Sequence, residues 1–275
     1  MPVWSLDPVV LAGLAALALL FARGWARMRP QPHAWRALAF YSGLATIFVA
    51  LISPLAALAE ELFLAHMVQH LLLIMVAIPL LLLGTPSLVL LQGLPRAARP
   101  RAVRPLARQR ALRAVLRVVS NPLVSLGTYI TLLSLWHVPA WYDAALASAP
   151  VHALEHATFL LIATLFWGQV IDPEPWRAPL AHPLRIVYLF VATAHNTLLG
   201  GILSFAEPTL YAYGTLATRP FDLSAAADQQ WGGIIMWVPG GMVHLVAISL
   251  VFAVWLAAED RPSRLESRPL HDIPR

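Results

Sequence analysis

Apolar residues in this chain come in long, nearly unbroken runs, not in the alternating or one-faced patterns of a soluble domain. Seven runs stand out, at 8–22, 35–52, 62–83, 122–138, 151–171, 184–205 and 231–257. Most reach the length of about 20 residues that a helix needs to cross a bilayer; the first is the shortest. Inside hydrocarbon the backbone must satisfy its own polar groups, so runs of this kind fold as helices. The pattern predicts an all-α polytopic membrane protein with seven transmembrane helices. The third run continues through Pro79, Gly84 and Pro86 to Leu91, so a kink or an interfacial extension is expected there.

Composition agrees. Hydrophobic residues make up 59% of the 275 and charged ones only 12%, against roughly 45–50% and about 25% in soluble domains. That excludes both a hydrated globular surface and disorder. The formal net charge is +5, and all 19 basic residues are arginine. In a soluble chain this would point to nucleic acid, but the arginines sit in alternate loops. Arg23, Arg27, Arg29 and Arg36 follow the first run, and Arg96 to Arg117 follow the third. Arg177 and Arg185 follow the fifth, and Arg261, Arg264, Arg268 and Arg275 close the chain. Only Arg219 falls in the opposite set. Excess arginine marks the cytoplasmic side. The expected orientation is therefore N-terminus outside and C-terminus cytoplasmic, with the first run an uncleaved span. The domain reading is one bundle over residues 1–257, including a basic cytoplasmic loop at 94–119, and a polar cytoplasmic tail at 258–275. In the loop, arginines alternate with Ala, Leu and Val, as in a helix lying on anionic lipid; no nucleic-acid partner is needed.

The chain has no cysteine and ten histidines. Disulfides and thiolate metal sites are excluded, which leaves imidazole, carboxylate and thioether as donors. His33, His182 and His271 lie outside the runs on the arginine side. The other seven lie within the runs or at their outer ends: His66, His70, His137, His152, His156, His195 and His244. Residues four apart share a helical face, so HMVQH (His66, His70) and HALEH (His152, His156) each form a two-imidazole clamp. Glu155 can approach the second of these faces. A single intramembrane histidine is accounted for by a hydrogen bond between helices. Seven on five helices, with two clamps at matching depth, point to a transition metal or haem. Met67, Met236 and Met242 lie near these stretches, and Asp143 and Asp228 are outer-loop acids placed to receive a cation. The pairs Gly200–Gly201 and Gly232–Gly233 suit close helix contact. Pro239, Gly240 and Gly241 suit a kink that aims His244. There is no HExxH, no nucleotide-binding glycine motif and no serine elbow.

Five stretches resemble one family: HMVQHLLLIMVAIPLLLLGTP, WHVPAWYDAAL, HALEHATFLLIATLFWGQVI, HNTLLGGILSFAEPTLY and DQQWGGIIMWVPGGMVH. They look like the signature stretches of the CtaG-type (caa-type) cytochrome c oxidase assembly factors, seven-helix bacterial membrane proteins. The resemblance covers roughly residues 62–246. It implies a non-enzymatic metallochaperone of the bacterial cytoplasmic (inner) membrane that helps mature a haem-copper oxidase of the respiratory chain. The expected cargo is copper, as Cu(I) or Cu(II), taken from an extracytoplasmic copper donor and passed to the oxidase catalytic subunit. Carried over by position, the family's motif histidines fall on the same seven residues, and its motif acids on Asp143, Glu155 and Asp228. Two other readings stay open. One is an electron carrier with haem held by two histidines such as His195 and His244; the other is a zinc-dependent intramembrane hydrolase. Homo-oligomer formation is also left open.

Overall fold

The computed structural model describes residues 4–173, 180–215 and 220–266. Arg177, Arg219, Arg268, His271 and Arg275 fall outside them, as does the end of the expected tail. Among the described residues the fold is helical with no strand. The helices are α1 (Pro8–Arg27), α2 (Ala34–Ile52), α3 (Pro54–Glu61), α4 (Phe63–Leu71), α5 (Ile78–Leu83), α6 (Pro86–Gly93), α7 (Arg99–Arg108) and α8 (Arg110–Val119). They continue with α9 (Pro122–Trp136), α10 (Pro139–Ala147), α11 (Ala149–Ile171), α12 (His182–Phe205) and α13 (Ala225–Glu266). A π-helical segment, Leu72–Ala77, joins α4 to α5.

Local chemistry sets many of these starts. Pro8, Pro54, Pro86, Pro122 and Pro139 each occupy a first helical position, where the missing N–H costs nothing and φ is preset. Asp7, Ser53 and Asn121 cap α1, α3 and α9 through their side-chain oxygens. The residue before a proline is pushed out of the helical region, which ends α9 at the His137-Val138-Pro139 corner. The break expected near Gly84 is present. Thr85 takes a left-handed φ of 49°, and α6 folds back to pack on α1. There Gly24 touches the backbone carbonyl of Val89, and any Cβ would collide with it.

Among the described residues six helices are long and apolar enough to cross a membrane: Pro8–Arg27, Ala34–Ile52, Phe63–Leu83, Ala149–Ile171, His182–Phe205 and Ala225–Asp260. A seventh counts only if α8 and α9, bent by 71° at residues 120–121, are taken as one broken span. The helix at 122–138 is shorter than expected because the corner before Pro139 stops it at Trp136. The first span is longer than expected. It runs to Arg27, whose guanidinium donates to the carbonyls of Gln92, Gly93 and Leu94 and so fixes the last turn. The helix at 231–257 is also longer, and Pro239 does not break it. Gly240 instead lies against the Asn196 amide.

The packing is that of a membrane bundle. Leu19, Leu161, Phe190, Leu198, Leu245 and Leu250 are exposed on outward faces, an apolar surface of the kind that soluble monomers do not present. One large core joins α4, α9, α11, α12 and α13, with Tyr129, Phe159, Ile162, Phe166 and Leu189 fully enclosed. A smaller one, built on the stacked rings of Phe21 and Phe40, joins α1, α2 and α6. Gly200 and Gly233 let α12 and α13 approach closely, whereas Gly201 faces open space.

Candidate metal centre

The α4 turn that carries His66, Met67 and His70 is buried, and so is the α11 face that carries Glu155 and Phe159. His66 lies level with His152 (ring centroids 5.3 Å apart), and His70 lies level with His156 (5.4 Å). Because 66 meets 152 and 70 meets 156, the two helices run in the same direction. The chain must therefore return between them, and α9 brings it back to deliver His137. The spacing of two four-residue clamps is converted here into one four-imidazole cluster.

Glu155 stands among them. Its Oε2 is 3.7 Å from His66 Nε2 and its Oε1 is 3.8 Å from His70 Nε2. His66, His70 and Glu155 each offer a ligand atom within 4.8 Å of the others, a group that could hold a metal ion. The site is dry: Glu155 and His66 are 1% and 0% exposed. Seven buried donor or acceptor atoms lack a hydrogen bond among the described residues: both oxygens of Glu155, Nε2 of His66, His152 and His156, and both nitrogens of His70. Burying a carboxylate without compensation is costly. A cation between His66, His70 and Glu155 would satisfy one atom of each, so the residues present fit a metal.

A ring of aromatic residues covers the cluster. Phe63, Tyr142, Tyr211 and Tyr213 contact one another, and Tyr142 lies 5.1 Å from the His66 ring. Tyr213 donates to the Ala59 carbonyl at 2.6 Å, and its oxygen is 3.3 Å from His66 Nδ1. With its single hydrogen engaged, Tyr213 can only accept from His66. That leaves His66 Nε2 as a lone pair facing Glu155. Burial also pushes the Tyr213 phenol above its ordinary range, so it remains a donor. Tyr211 donates to the His137 carbonyl at 2.9 Å. Gly232 leaves room for the Phe63 ring, which a Cβ there would strike.

The remaining expected site residues are distributed differently. His137 is buried beside the cluster, with Nδ1 2.7 Å from the Leu133 carbonyl. His195 is half-buried and meets Ser134 at 2.8 Å. His244 is fully buried against Phe166 and Trp167, about 16 Å along α11 from Glu155 at 1.5 Å per residue. The seven histidines therefore do not form one constellation. His195 meets Ser134, whereas His244 packs on Phe166 and Trp167. Met67 and Met236 are buried, but Met242 is 62% exposed on the outer face of α13.

The two outer acids are engaged by the backbone. Asp143 accepts from Ala212 N at 2.9 Å. Asp228 is not a loop residue: it lies in the first turn of α13, fully buried, and accepts from Phe63 N and Leu64 N at 3.0 and 2.9 Å. Leu62, the residue at the N-cap of α4, has no side-chain oxygen to do this, so Asp228 caps α4 from a neighbouring helix. No tyrosine is among the expected site residues; Tyr142 lies within the stretch WHVPAWYDAAL, and the run Tyr211-Ala212-Tyr213 is a local signal for the other two.

Over residues 19–258 the chain matches the family described as cytochrome c oxidase caa3 assembly factor (Caa3_CtaG). An uncharacterized protein of Mycobacterium bovis and another of Mycobacterium tuberculosis are each 25% identical to it over 274 residues, covering 97% of this chain and 41% of theirs. An uncharacterized protein of Mycobacterium leprae is 22% identical over the same shares. The chain thus spans about two fifths of the length of these curated relatives. No solved structure matches it. The family match begins within α1, ends within α13 and takes in every residue of the buried cluster, so the chain belongs to the cytochrome c oxidase caa3 assembly factor family.

Proposed function

We propose that this protein is a copper-binding assembly factor that holds the ion in the cluster of His66, His70, His152, His156 and Glu155 and passes it to a haem-copper oxidase. The observation that carries this reading is the set of seven buried atoms without hydrogen bonds, five imidazole nitrogens and the two oxygens of one carboxylate. Family membership supports an oxidase as the partner, and in this reading its catalytic subunit receives the ion. Copper is cargo here, and the protein's part is to bind, shield and release it without catalysing a reaction.

In this reading the protein has seven spans, with α8 and α9 as the broken one. It lies in the bacterial inner membrane with the N-terminus outside and the arginine-rich ends in the cytoplasm. The parallel run of α4 and α11 supports this count, because it requires a crossing between them. Copper then enters at the end where α10 and the tyrosines lie, from an extracytoplasmic donor.

The test is elemental analysis of purified full-length protein after loading with copper, paired with the copper content of the oxidase in a strain lacking the gene. Bound copper and a copper-poor oxidase are expected. No retained copper and a normally metallated oxidase would overturn the reading. Zinc retained in preference to copper would turn the same two-histidine, one-carboxylate group into a zinc site.

A further inference from the structure

Next to the cluster lies a cavity of about 30 Å³, room enough for one ion. Its lining includes His70, His137, Tyr129, Asn196 and three methionines, Met67, Met75 and Met236. Three of these carry orphaned polar atoms. The Tyr129 hydroxyl, His137 Nε2 and both nitrogens of His70 are buried without a hydrogen bond among the described residues.

His137 is prepared for a specific role. Its Nδ1 is 2.7 Å from the Leu133 carbonyl, which can only accept. In the neutral ring the proton is therefore on Nδ1, and Nε2 is left as a lone pair. Met236 is held as well, because Asn196 Nδ2 donates to its carbonyl at 2.7 Å. The donors differ in kind from those of the cluster. The cluster offers imidazole and a carboxylate, whereas the cavity offers imidazole and the thioethers of three lining methionines with no acid. Soft neutral donors of this type select Cu(I) over divalent ions.

We infer that the cavity is a second metal station, specific for Cu(I), built from His137, Met67 and Met236 and joined to the cluster by His70, which lines both. The inference rests on the copper reading of the cluster and goes further, since it gives the ion a next stop with a different ligand set. Transfer is ligand exchange around His70: the ion leaves Glu155 and gains thioether sulfur, with no change in oxidation state.

The experiment uses the full chain in lipid nanodiscs, with Cu(I) alone as the probe under anaerobic conditions. Copper per chain and copper K-edge absorption are read together. Two equivalents are expected in the parent protein, with copper–sulfur scattering appearing as the second fills. The double variant M67L/M236L preserves volume. It should lose the sulfur signal and bind the second equivalent at least tenfold more weakly while keeping the first. A parent protein that binds one equivalent through nitrogen and oxygen only would overturn this inference and leave the cluster reading standing. Sulfur scattering that persists in the double variant would put Met75 in place of Met67 and Met236 and overturn the ligand assignment. Absence of bound copper altogether would remove both. If the variant fails to fold, the sulfur signal of the parent protein alone decides.

Discussion

The rings of His66 and His152 stack at 5.3 Å with their planes 20° apart, although one belongs to α4 and the other to α11. This contact sets the register of the two helices, and Glu155 enters the cluster because of it. Without a cation, such a cluster juxtaposes bare lone pairs and a desolvated carboxylate.

Replacing Glu155 by Gln keeps the shape and removes the charge. Copper affinity is expected to fall by about 10–100-fold, of the order seen when charged or outer-shell partners of metal ligands are lost. Competition against a chromophoric chelator measures it. An unchanged affinity would show that the carboxylate is not a ligand.

His244 offers the contrasting case. Both ring nitrogens are buried without hydrogen bonds among the described residues, against Phe166 and Trp167. His244→Leu should leave the copper stoichiometry unchanged. It should also leave the thermal midpoint unchanged or raise it, since replacing orphaned polar atoms by apolar ones is neutral or favourable. Loss of a copper equivalent would place His244 on the metal path.

Asp228→Ala removes the oxygens that cap Phe63 N and Leu64 N. A destabilisation of about 1–2 kcal/mol is expected, read from thermal or denaturant unfolding in detergent. Asp228→Asn, which retains one acceptor, should lose less. If Asp228 were a ligand, both variants would lose copper while remaining folded.

Gly200 and Gly201 are adjacent and should behave oppositely. A Cβ on Gly200 would stand 2.8 Å from the Trp237 Cβ and 3.0 Å from the Gly233 carbonyl, while one on Gly201 meets nothing within 4 Å. Gly200→Ala should cost about 1–3 kcal/mol by overpacking. Gly201→Ala should gain up to about 1 kcal/mol from helix propensity. Equal melting shifts would contradict the close approach of α12 and α13.

Much of this was readable from spacing. Residues four apart share a face whatever the rest of the chain does, so the two histidine clamps were visible before any fold. Proline at the first helical position likewise marks where several helices begin. The exposure of Met242 was also within reach: six residues rotate a helix by about 240° from Met236, so both could not point inward together. Asp228 was not readable, because an acid beside a glycine-rich run looks like a solvated loop until another helix end arrives needing acceptors. Tyr213 was hidden for a similar reason. It reaches His66 and Ala59 from an irregular segment, and periodicity says nothing about where such a segment folds. That His195 and His244 lie apart from the four-imidazole cluster was not readable either, because depth alone does not tell which neighbour a side chain meets.

The π-helical segment at Leu72–Ala77 begins two residues after His70. Pro79 has no N–H for the carbonyl of Met75 four residues earlier, and the Trp167 indole takes up the carbonyl of Ile74 at 2.9 Å. A wide turn of this kind holds one surplus residue. Excising it would turn the half of the span that bears His66 and His70 by about 100° against the half that packs on α2. The direction in which the imidazoles point and the face that anchors the helix are thus separately adjustable, and a single-residue deletion at this turn would turn the histidines away from Glu155 while leaving the anchoring face in place.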